Sequence, residues 1–79
     1  MLIPKKSLGQ NFLIDNNIAK KIVNVAKNIS ENNIVEIGSG KGALTDEIIK
    51  KHPRNLILIE KDKFLYEYLL NKYKNIKNI

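Results

Sequence analysis

IVEIGSGKGALTDEIIKKHPRNLILIEKD, residues Ile34–Asp62, decides the fold. It divides into four pieces. Ile34–Ile37 is a short apolar run, and Gly38, Gly40 and Gly42 follow at once. Residues 43–51 then place Leu44, Ile48 and Ile49 at helical spacing, and Leu56–Ile59 is a second apolar run ending on Glu60. Continuous apolar runs of this length suit strands covered on both faces, so the stretch predicts a βαβ unit on a parallel sheet. The glycines have distinct physical tasks: a tight turn out of the strand, close approach of a ligand to backbone, and close packing of helix on strand. Glu60 stands 22 residues after Gly38, where a carboxylate can accept hydrogen bonds from ribose hydroxyls. The stretch therefore predicts a cofactor containing adenosine, held across the strand ends.

The 79 residues bound the chain to one domain at most. A chain of this size buries only about 60–65% of its extended surface, so its stability is marginal. Lys and Arg number 14 against 8 acids, a net charge of +6. That balance suits a polyanionic partner such as RNA, and equally a plain basic surface. With no cysteine there is no disulfide or thiolate metal site, and His52 alone cannot build a metal centre. No apolar run approaches the roughly 18 residues of a membrane span, and Met1–Pro4 is too short for a signal-peptide core. A soluble, cytoplasmic, monomeric protein without a metal is expected.

Residues 1–15 have no clean period and predict an extended arm. Asp15 or Asn16 can cap a first helix over residues 16–28, with Ile18, Ile22, Val25 or Ala26, and Ile29 as its apolar stripe. The central helix, residues 43–51, ends in Lys50, Lys51 and His52, and Pro53 enforces the stop. Strands are predicted over residues 34–37 and 56–60. A third helix over residues 63–73 takes Phe64, Leu65, Tyr68, Leu69 and Tyr73 as its apolar side. Residues 75–79 fit a loop or the start of a third strand. The fold class is α/β, a doubly wound sheet, but two strands do not close one. The first strand is left with an open edge, and the chain is expected to be the front part of a longer protein.

The glycine turn fits two cofactor classes. Gly-Ser-Gly-Lys-Gly matches the turn of S-adenosylmethionine-dependent methyltransferases, and with Ala43 it matches the dinucleotide pattern too. Glu36, late in the first strand, favours the methyltransferase side; its plain alternative is a solvated strand-end carboxylate. Lys41 could serve a phosphate, but the Gly-Lys-Ser/Thr ending of a P-loop is missing.

KSLGQNFL, residues Lys6–Leu13, is required by no generic nucleotide fold. Followed by VEIGSGKGALT and LIEKD, it closely resembles the start of the ribosomal RNA small-subunit adenine dimethyltransferases. The likeness runs from about Lys5 to Asp62. Resistance methyltransferases acting on large-subunit RNA share the Gln-Asn-Phe core, but the preceding Ser-Leu-Gly and the following Leu fit the small-subunit group better.

The resemblance implies a Rossmann-like domain whose arm folds over S-adenosylmethionine. By it, Asn11 and Leu13 contact the cofactor, and Gly38 and Gly40 bring backbone close to its methionine part. Glu60 binds the ribose hydroxyls, and Lys61 lies beside the adenine. Plainer roles compete: a turn for Asn11, core packing for Leu13, a surface acid for Glu60. Phe12 is expected to anchor in the core. Lys5 and Lys6 are candidates for RNA phosphate contact, or simply a solvated basic terminus. Tyr66, Tyr68 and Tyr73 are expected as amphipathic packing residues rather than base-stacking groups. The family's reaction dimethylates two adjacent adenosines near the 3′ end of small-subunit rRNA, in the pre-30S particle. The resemblance assigns that catalysis to an Asn-Leu-Pro-Tyr-type motif, and no such motif occurs in these residues. No catalytic residue is therefore expected in this chain, and no turnover by it alone. Two rival readings remain: a basic RNA-binding or ribosome-assembly module, and a nicotinamide- or flavin-binding front half.

Overall fold

A computed structural model describes residues 15–79. The element order is α1 (Asn16–Val25), a 3-10 turn (Ile29–Glu31), β1 (Asn33–Ile37), α2 (Ala43–Ile49), β2 (Asn55–Ile59) and α3 (Lys63–Lys72). β1 and β2 pair in parallel, with Asn33 opposite Asn55 and Ile37 opposite Ile59. The α/β class is as the sequence predicts, and the sheet is two-stranded among the described residues. The arm and the candidates Lys5, Lys6, Asn11, Phe12 and Leu13 lie outside the described residues.

Local chemistry sets the helix ends. The Asp15 carboxylate accepts from Ile18 N–H at 2.9 Å and opens α1; Asp62 does the same for α3 through Leu65 N–H at 2.9 Å. The first helix stops at Val25, three residues short of the predicted 28. The chain leaves the helix at Ala26, which is extended (φ −71°, ψ 141°), and Asn28, left-handed at φ 60°, leads into the 3-10 turn. α2 ends at Ile49, before a turn in which His52 is left-handed (φ 56°) and Pro53 is buried.

The core is small. Val23, Ile29, Ile48 and Leu56 form it, with Ile34, Leu44, Ile49, Leu58 and Ile79 packed around them. The apolar stripe of α1 is rotated from the predicted one. Ala19 and Val23 are buried, whereas Ile18 and Ile22 are both 43% exposed and Val25 is exposed too. α1 packs on α2, and a fully buried alanine lets two helices approach closely; a stripe drawn from bulky side chains alone misses it. The apolar side of α3 needs a similar correction. Leu69 and Tyr73 are buried, Leu65 is half-buried, and Phe64 (76% exposed), Tyr66 and Tyr68 face outward. The packing role expected of the three tyrosines thus holds for Tyr73 only.

Among the described residues, one sheet face is covered and the other is not. Glu36 and Leu56 are buried and Ile34 and Leu58 half-buried, while the alternate residues Val35, Ile37, Ile57 and Ile59 are about half exposed or more. Period-two alternation along each strand gives this split. Residues 75–79 form no strand. Asn78 lies at the start of β2: its carbonyl accepts from Leu56 N–H at 2.8 Å and its Nδ2 donates to Pro53 O at 2.9 Å.

Candidate functional site

The parallel register delivers two chain segments to one place. Ile37 and Ile59 are partners at the strand ends, so the glycine turn and Glu60 emerge side by side. Gly38 N–H donates to Ile59 O at 2.8 Å, which ties the turn to the neighbouring strand. Gly38, Gly40 and Gly42 all have positive φ, at 72°, 60° and 94°. An L side chain is strained in that region, which favours glycine at these three positions.

Glu60 is pinned by backbone on both oxygens. Gly40 N–H donates to Oε1 and Asp62 N–H donates to Oε2, each at 3.0 Å. A carboxylate offers about four lone-pair sites, so acceptor capacity for a ribose diol remains. The carboxylate is half-buried rather than a loose surface acid. Lys61 follows it and is exposed. The structure thus brings Gly38, Gly40 and Glu60 together and leaves Lys61 exposed beside them in sequence.

Glu36 is not the solvated strand-end acid of the plain reading. It is 8% exposed and accepts a hydrogen bond from the Thr45 hydroxyl, itself fully buried. Burial raises its pKa from the ordinary 4.5 to about 6, despite the Thr45 bond, and the carboxylates of Asp46 and Glu60 push the same way. Within the turn, Ser39 is buried and its hydroxyl has no hydrogen-bond partner among the described residues. An orphaned hydroxyl at a glycine turn fits a position that a ligand completes. There is room as well: a Cβ placed on Gly38 would meet nothing within 4 Å. The turn, the pinned carboxylate and the open space together fit a nucleoside cofactor carrying an amino-acid tail.

The far side of the turn holds residues that sequence reasoning did not assign. The Tyr73 hydroxyl lies 2.6 Å from Asp46 Oδ1 and 3.3 Å from Gly42 O. Lys72 Nζ donates to Lys41 O at 2.9 Å and to Asp46 Oδ2 at 3.1 Å. Nothing in a local pattern links positions some 30 residues apart; the one available hint is an acid in the first turn of α2 facing an aromatic late in α3. Lys41, considered above for a phosphate, has its carbonyl engaged this way and its side chain exposed. A cleft of about 510 Å³ runs between β2 and α3, with Glu60, Tyr66 and Tyr73 in its walls.

The model of the ribosomal RNA adenine dimethylase family matches residues 2–79. The chain belongs to that family. Among relatives of the dimethylase family, the ribosomal RNA small subunit methyltransferase A of Wolbachia from Brugia malayi is 48% identical over 77 residues. That alignment covers 94% of this chain and 30% of the relative. The protein of the same name from Hydrogenobaculum is 47% identical, covering 95% of this chain and 30% of the relative. That from Maridesulfovibrio salexigens is 52% identical, covering 87% and 26%. This chain therefore spans about a third or less of the length of these dimethylase relatives. Among the described residues no helix is long and apolar enough to cross a membrane.

Proposed function

We propose that this chain forms the cofactor-holding front of a methyltransferase domain spanning residues 1–79 and beyond, one that dimethylates adenosines of small-subunit rRNA. The observation that carries the reading is the junction of Glu60 with the glycine turn through Gly40 N–H. In this reading Glu60 accepts from the ribose hydroxyls of S-adenosylmethionine and Lys61 flanks the adenine. Gly38 and Gly40 present backbone to the amino-acid part, and Ser39 finds its missing partner there. Asn11 and Leu13 close over the cofactor from the arm, and Lys5 and Lys6 meet RNA phosphates. The bound cofactor supplies an activated methyl group on a sulfonium. The contribution of these residues is to hold and orient it. The accepting partner is the rRNA of the small subunit, in the cytoplasm, with the protein acting as a monomer.

Competition decides the cofactor class. Equilibrium dialysis against S-adenosylmethionine and NADH should give retention of the first only; preferential retention of NADH would overturn the reading.

A basic RNA-binding module is the second reading. It is favoured by the +6 charge and by the exposed Lys50, Lys51, His52 and Arg54 around the turn after α2. It predicts salt-sensitive RNA binding that persists in Glu60→Ala, without retention of S-adenosylmethionine.

A further inference from the structure

The C-terminal end of α3 reaches back to the glycine turn through polar contacts, buried or part-buried at Tyr73 and exposed at Lys72, that packing alone does not require. Tyr73 is 6% exposed, yet its hydroxyl is not left in an apolar setting. It donates to Asp46 in the first turn of α2, with the carbonyl of Gly42 3.3 Å away. Lys72 donates to the neighbouring carbonyl of Lys41 and to the second oxygen of Asp46. Lys72, the last residue of α3, thus holds the Lys41 carbonyl, Tyr73 just after it lies against Gly42, and Asp46 receives a bond from each. The fit is close: a Cβ on Gly42 would come within 2.3 Å of the Tyr73 hydroxyl.

From this geometry we infer that Tyr73 and Lys72, working through Asp46, are positioning residues that set the shape of the glycine turn for the amino-acid part of its ligand. The inference rests on the cofactor reading above. That reading divides the ligand between two supports. The ribose goes to Glu60, whose own bonds run to Gly40 and Asp62. The amino-acid part goes to the turn, whose Lys41–Gly42 side is fixed by α3. Loosening the α3 contacts therefore affects one end of the ligand and spares the other.

Two ligands separate these ends: S-adenosylhomocysteine carries the amino-acid part, and 5′-methylthioadenosine keeps adenine and ribose without it. Calorimetric titration of the wild-type chain should give binding of both. Tyr73→Phe keeps the ring and removes the donor. It should weaken S-adenosylhomocysteine by about tenfold, the scale of one hydrogen bond to a charged acceptor. It should leave 5′-methylthioadenosine within about twofold. Asp46→Asn, which still accepts from Tyr73, should lose less than Asp46→Ala. A ligand-free readout accompanies these: exchange of Gly42 N–H, bonded to Ser39 O at 3.0 Å, should speed up in Tyr73→Phe while that of Ala19 N–H does not. Equal loss of both ligands, or no loss of either, overturns the positioning role while leaving the cofactor site standing. Failure of the folded wild type to bind either ligand overturns the cofactor reading itself.

Discussion

Glu60 Oε1 accepts the backbone N–H of Gly40 at 3.0 Å, across 20 residues of sequence. The acid after the second strand and the glycine turn after the first are thus one hydrogen-bonded unit before any ligand arrives. Gly40 is buried, so its amide has little access to water as an alternative acceptor. Glu60→Ala should accordingly destabilise the ligand-free chain, by roughly 1–2 kcal/mol. Urea unfolding measures this, and a change below a few tenths of a kcal/mol would mean that the contact carries no net stability.

Gly42 and Gly38 should respond differently to alanine. Both have positive φ, so each substitution meets backbone strain of about 1–2 kcal/mol. At Gly38 that is all, because the added Cβ meets nothing within 4 Å. At Gly42 the Cβ also collides with the Tyr73 hydroxyl. Gly42→Ala should therefore unfold at lower urea than Gly38→Ala. In a Tyr73→Phe background part of its cost should disappear, giving a coupling energy of about 1 kcal/mol in a double-mutant cycle.

The raised pKa of Glu36 gives a pH dependence with a definite sign. Its carboxyl titrates near 4.5 when unfolded and near 6 when folded. Between these values the folded state binds more protons, so stability falls as pH rises. The loss is complete somewhat above pH 6 and amounts to at most about 2 kcal/mol. Glu36→Gln, which still accepts from Thr45, should flatten this segment of the stability profile. An unchanged slope in the variant would assign the effect elsewhere.

Leu56 is 1% exposed and central to the small core. Leu56→Ala should cost about 2–5 kcal/mol, a large part of the stability of a chain this size, and should be visible as loss of the cooperative thermal transition.

Strands, turn and central helix were legible because each rests on a local signal: two apolar runs, three glycines and a proline stop. The juxtaposition of Gly38, Gly40 and Glu60 was legible for the same reason, since they lie at strand ends that the register brings together. The rest depended on contacts between distant segments. Ala19 is too small to mark a buried stripe, yet it is fully buried. Phe64 reads as core by size but projects outward. Tyr73 reads as apolar packing, and its hydroxyl matters only because Asp46 lies opposite; burial and that carboxylate push its pKa far above the ordinary phenol value, so it stays a donor. Glu36 reads as a strand-end acid, and only the helix above it, carrying Thr45, reveals a buried one.

Calorimetric titration of this chain with S-adenosylmethionine, with Glu60→Ala beside it and circular dichroism to establish folding, tests the central claim most directly. The account predicts binding by the wild type and a loss of roughly 1–3 kcal/mol in the variant. A well-folded wild type that does not bind, or a variant that binds equally well, would contradict it.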